Sequence, residues 1–120
     1  MAVRAVRGAT QVEANTREEI LAGTSELISV VLERNGLTPE VLINVVFTAT
    51  PDLNAEFPAY AARELGFTDV PLLCATEIDV PGALPRVLRL LALVETDRAR
   101  SEIHHVYLHG AAQLRRDLPS

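Results

Sequence analysis

The chain contains no tryptophan, a single cysteine, two tyrosines and three phenylalanines, and its eleven basic residues are all arginine. Each scarcity excludes something. One cysteine, Cys74, can form neither an intrachain disulfide nor a cysteine-rich zinc site. With so few aromatic rings the core must be aliphatic, and the 48% hydrophobic content supplies it. No apolar stretch approaches the length a bilayer requires, since the longest runs only from Leu90 to Val94. The opening MAVRAVRGAT carries arginines where a secretory leader needs apolar residues, so a cytoplasmic location is expected. Neither a phosphate-binding glycine loop nor a Cys-x-x-Cys pair is present.

What is present fits one domain over residues 1–120, with no repeat, linker or low-complexity segment. A chain of this size buries roughly two-thirds of its unfolded surface, leaving little room for a deep private pocket. Small enzymes often solve this by building a site between subunits. The net charge of −5 argues against a nucleic-acid partner. Arginine suits forked recognition of carboxylates, and an acidic protein that binds an anion must gather its arginines locally.

Residues 2–12 read as a strand, with Arg4 and Arg7 on opposite faces. Thr16-Arg17-Glu18-Glu19 reads as a capping box that opens a helix. Its apolar stripe is Ile20, Leu21, Leu27, Ile28, Val31 and Leu32, and Gly36 ends it. Thr38-Pro39-Glu40 starts a short helical turn. Residues 41–50, VLINVVFTAT, read as a buried strand. A loop over 51–56, a short helix over 58–65 closed by Gly66, a strand over 70–75 and a loop over 77–84 follow. PRVLRLLALVE at 85–95 fits a helix face or a central strand, and the local pattern leans to helix. IHHVYLH at 103–109 alternates as a strand. Strands alternating with helices point to an α/β or α+β sandwich with a helix layer on one side.

Arg89 lies within an apolar run, where a guanidinium needs a partner. It is either a structural ion pair with Glu77 or Glu95, or an anion-binding group left open. Arg7 precedes Gly8, whose missing side chain would let a ligand approach; otherwise Arg7 is an exposed edge residue. Val106 and Leu108 should face the core and Tyr107 the other side, to pack there or to donate to a carboxylate. Cys74 and Glu77 bracket the end of the third strand, as an inert thiol and a solvated carboxylate or as site residues. His105 and His109 would lie about 13 Å apart on a strand, which disfavours a metal.

Together these residues resemble the monofunctional chorismate mutases of the trimeric α/β class. The likeness is carried by RGAT at 7–10, ATPDLNAEFPAYAARELG at 49–66, VPLLCATEIDVPGALPRVLRLL at 70–91, HVYL at 105–108 and LRRDL at 114–118. It implies an α+β fold, a five-stranded mixed sheet with helices on one side. Three copies assemble as a pseudo-barrel homotrimer with sites at the subunit interfaces. It also implies that residues 85–95 form a strand. The substrate would be chorismate, with no cofactor, no metal, and neither nucleic acid nor membrane as partner.

By the same resemblance, Arg89 reaches the ether oxygen and the enolpyruvyl carboxylate. Arg7 and Tyr107 hold that carboxylate. Glu77 accepts from the ring hydroxyl, with Cys74 nearby. Phe57, Ala59 and Arg63 are similar to a wall supplied by the neighbouring subunit. Leu72 and Leu73 fall among the substrate-contacting positions, and Arg115 resembles a tail arginine that covers the site. Tyr60 stands where lysine is common, Leu73 where threonine is frequent, and Arg116 where proline is expected. These departures concern the mouth of the pocket.

The chemistry suits these residue types. A unimolecular pericyclic rearrangement requires no acid, base or nucleophile. It requires a flexible dianion held in a reactive shape and a fixed cation at the oxygen of the breaking bond. Two rivals stand beside this reading. Small trimeric enamine/imine deaminases share the architecture, but want an arginine where Tyr60 stands. A non-catalytic anion-binding trimer would have no use for Arg7, Glu77, Arg89 and Tyr107 together.

Overall fold

A computed structural model of the chain describes residues 1–115. The helix α1 spans Arg17–Asn35 and opens at Thr16, whose hydroxyl accepts the Glu19 amide at 3.1 Å. The reciprocal half of the expected box is not made: the Glu19 carboxylate takes the amide of Glu13 instead, tying the preceding loop to the helix. Ile20, Leu21, Leu27, Ile28 and Val31 are buried along one stripe. Gly36 ends the helix at φ +60°, a left-handed conformation open to a residue without Cβ.

Five strands form one sheet: β1 at Ala2–Gln11, β2 at Leu42–Ala49, β3 at Leu72–Thr76, β4 at Val87–Thr96 and β5 at Val106–Leu108. Their order across the sheet is β3-β2-β4-β1-β5. β4 runs antiparallel to both neighbours, while β3 is parallel to β2 and β5 is parallel to β1. A short helix, α2 at Ala59–Glu64, joins β2 to β3. The local lean of residues 85–95 towards helix is therefore overturned. β1 and β2 pair with β4 from both sides, and its apolar residues serve both faces of a sheet.

One face of the sheet packs on α1 and α2. Val6, Val45, Phe47, Leu90, Ala92, Val94 and Val106 form a single cluster there with Leu27, Ile28, Val31 and Ala62. Gly8 belongs to this face. A Cβ on it would stand 3.1 Å from side-chain carbons of both Leu27 and Val31. The missing side chain thus admits the helix, while the backbone of Gly8 lines a cleft on the opposite face of the sheet.

Two positions tie the ends of elements together. Asn35 is buried; its Nδ2 donates to the carbonyls of Val31 and His104, and its Oδ1 accepts the His104 amide. That side chain clamps the entry to β5 against the end of α1. Arg86, at φ +55°, turns the chain into β4. Its amide bonds to Asp52, its Nε to the Val12 carbonyl, and its own carbonyl accepts the Val12 amide. β5 is shorter than the expected 103–109, because His109 adopts φ +53° and starts a 3-10 segment over His109–Arg115.

Among the described residues no helix covers the other sheet face. Val3, Leu73 and Leu91 are exposed there, at 55%, 63% and 43% of their surface. Strand β2 accordingly alternates buried and half-exposed residues within one chain, and is not covered on both sides.

Candidate active site

Strand register builds the site on this uncovered face. Residues directly opposite one another in a ladder share a face. Tyr107 of β5 pairs with Ala9 of β1, Ala9 with Arg89 of β4, Arg89 with Thr48 of β2, and Thr48 with Ala75 of β3. The neighbouring row runs Arg7, Leu91, Val46, Leu73. Ala9 leaves a gap between the tyrosine and the arginine, and a cleft of about 260 Å³ opens over it. Arg7, Val46, Thr48, Arg89, Leu91 and Tyr107 line the cleft.

Arg89 is not buried as its apolar neighbours suggested, since its side chain is 44% exposed. Its Nε lies 3.0 Å from Oε2 of Glu77, so the ion pair weighed in the sequence does form, and with Glu77. The same carboxylate oxygen accepts the Thr48 hydroxyl at 2.6 Å. Glu77 reaches this position because its amide donates to the Ala49 carbonyl just past the end of β3. Among the described residues the terminal nitrogens of Arg89 have no partner, and neither has the guanidinium of Arg7. The backbone of Arg7 is fixed, because its amide donates to Nδ1 of His105 at 3.0 Å. The arrangement holds two cations over one small cleft with their outer nitrogens open, which is what a carboxylate-bearing anion needs.

The remaining expected residues lie elsewhere on the chain. Cys74 pairs with Phe47, and so faces the helix side. It lines a second cleft with Glu56 and Phe57. Arg63 and Leu72 line a third with Phe67, Thr68 and Val70. Ala59 is buried in the core and lines neither. Leu73 stands on the open face at the β3 edge. Tyr60 carries the guanidinium of Arg17 above its ring at 5.9 Å, and Arg17 also pairs with Glu56. The expected roles of the Arg115 side chain and of Arg116 lie outside the described residues. A hollow beside α1 is comparable in size to the second cleft, but Glu13, Glu19 and Glu26 line it and would repel an anion. His109 pairs with Glu26, and among the described residues no group of three metal-ligating side chains converges.

Two participants are not assigned to the site from the sequence, although His105 is weighed there as a metal ligand. Thr48 is marked only by being a polar residue in an apolar strand. His105 meets Arg7 only through the parallel pairing of β5 with β1.

Fold and site define an α+β protein with two arginines, Arg7 and Arg89, over one small cleft on the sheet face away from its helices. The chain belongs to the type I chorismate mutase family, whose model matches residues 3–118. It is 51% identical over 119 residues to the chorismate mutase AroH of Thermus thermophilus, covering 98% of both chains. Against the chorismate mutase AroH of Bacillus subtilis it is 45% identical, covering 98% of this chain and 94% of the other. The solved chorismate mutase from Clostridium thermocellum superposes with a TM-score of 0.90 at 48% identity, covering 91% of this chain and 97% of that one.

Proposed function

We propose that the chain rearranges chorismate to prephenate in the cleft over Ala9, with the site completed by a neighbouring copy in a homotrimer in the cytoplasm. The observation that carries the reading is the open pair of guanidinium groups, Arg7 and Arg89, over one cleft.

In the reaction the ether C–O bond of chorismate breaks while a C–C bond forms between the enolpyruvyl group and the ring. No atom enters or leaves. Arg7 and Tyr107 hold the enolpyruvyl carboxylate and so select the folded, reactive shape of a flexible dianion. Arg89 faces the ether oxygen, where negative charge grows as the bond breaks, and a fixed cation there stabilises the transition state more than the ground state. Glu77 keeps Oε1 without a partner among the described residues, available to accept the ring hydroxyl.

The trimer is supported by two features. The arginine cleft and the Cys74–Phe57 cleft share no lining residue within one chain, and a second copy that brought its own Phe57 cleft to the arginines would unite them over one small substrate. The bare face also carries exposed Val3, Leu73 and Leu91, which an assembly would cover.

The test follows chorismate loss and prephenate formation with purified protein, without added cofactor. Wild type should turn over, and Arg7→Ala should raise KM by about 10-fold or more, the worth of one hydrogen bond to a charged group. No turnover by a folded wild-type assembly would sink the proposal.

A further inference from the structure

We infer that Thr48 is a positioning residue for the rearrangement, acting on Arg89 through Glu77; the inference rests on the function proposed above. A single carboxylate oxygen, Oε2 of Glu77, meets both the Thr48 hydroxyl at 2.6 Å and Nε of Arg89 at 3.0 Å. The hydroxyl contact falls in the short range of a charge-assisted bond. Thr48 stands directly opposite Arg89 in the β2–β4 ladder, so these two side chains share one face and one row, and the Glu77 carboxylate reaches both. Glu77 itself sits in the segment after β3, held by its amide to the Ala49 carbonyl.

A carboxylate on a loop has freedom to swing, and an arginine side chain has more. The Thr48 hydroxyl, on a β-branched side chain of a paired strand, is the rigid member of the set. It fixes Oε2, Oε2 fixes Nε, and the two terminal nitrogens of Arg89 are thereby aimed into the cleft. The carboxylate is engaged at the inner side of the guanidinium, which leaves the outer side for substrate. Thr48 therefore acts on the chemical step and not on affinity.

Thr48→Val removes the hydroxyl and keeps the shape. It should lower kcat by about 10-fold, as expected for loss of one hydrogen bond to a charged group, with KM within about twofold of wild type. Thr48→Ser, which restores the hydroxyl, should recover kcat to within about threefold. In a Glu77→Ala background Thr48→Val should add less than about a twofold loss, because its target is gone. If Thr48→Val fails to fold, Thr48→Ala takes its place in the same cycle. Equal kcat in Val, Ser and wild-type proteins would overturn the inference, and so would losses that multiply in the Glu77→Ala background. The two readings fail differently: inactive wild type sinks the function, whereas active wild type with crippled Arg89→Ala and normal Thr48→Val sinks only the role of Thr48.

Discussion

Arg89 carries two contacts of different kinds. Its pairing with Glu77 is half exposed, and such a pair adds little to stability. Its loss should therefore leave melting temperature nearly unchanged while kcat falls about 10²–10³-fold, the usual consequence of removing an oxyanion-type donor. Arg89→Lys should rescue poorly, because a point charge on a flexible stem cannot hold Glu77 and reach the substrate at once. Thermal melts and kinetics on the same preparation check both, and a raised KM with normal kcat would reassign Arg89 to binding. Cys74 lies on the opposite face of its strand from the arginine row and is half-buried among apolar neighbours. A pericyclic step has no use for a nucleophile, so Cys74→Ser should keep substantial activity. Abolished turnover in a folded Cys74→Ser protein would speak against the mechanism.

At the level of elements, the sheet is pinned to α1 at a few identifiable places. Asn35→Ala would strand the His104 amide and carbonyl at the end of the helix, and should cost about 1–3 kcal/mol, read as a lower midpoint in denaturant. Because His104 leads into β5, hydrogen exchange there should quicken more than in β2. Gly8→Ala would press a methyl group against Leu27 and Val31, and overpacking of this kind costs about 1–3 kcal/mol. The neighbouring Arg7 backbone would move with it, so activity should fall further than the folded fraction alone explains. Helices α1 and α2, the Thr16 cap and the Gly36 stop are legible in the sequence, since each is written in residues three or four apart, whereas the turns at Arg86 and His109 are not. The clefts are not, because Arg7, Thr48, Glu77, Arg89 and Tyr107 come from five separate segments; ladder register places four of them on one face, and the bond from the Glu77 amide to the Ala49 carbonyl brings in the fifth.

For the whole molecule, a sheet covered on one side is an incomplete solution for a chain with exposed Val3, Leu73 and Leu91 on the other. The expected assembly is a homotrimer that buries this face and brings the second cleft of one copy to the arginine cleft of the next. Sedimentation equilibrium should report a mass three times that of the 13.1 kDa chain. Leu91→Glu, in the row beside Arg89, should shift that equilibrium towards monomer and remove activity with it. A monomer that retained full activity would refute a site shared between subunits.

Sequence alone determined the identity of the elements wherever the signal is local: the Thr16 cap, the stripe of α1, the Gly36 stop, and a globular composition whose basic residues are all arginine. Its resemblance to a family also named the strand at 85–95, which local periodicity leaned away from. The reason for that conflict is physical. VLRLLALV is apolar at nearly every position, and isolated apolar residues satisfy helical spacing as readily as strand spacing. Only the presence of β1 and β2, hydrogen-bonded along both edges, makes the extended form the better solution. Tertiary structure likewise decided that Gly8 serves both the helix and the cleft, that among the described residues Arg89 is open at its outer nitrogens, and that Thr48 and Arg89 meet the same oxygen of Glu77. Each of these depends on distances between segments far apart in the chain, and those distances are fixed by sheet register, which no local pattern encodes.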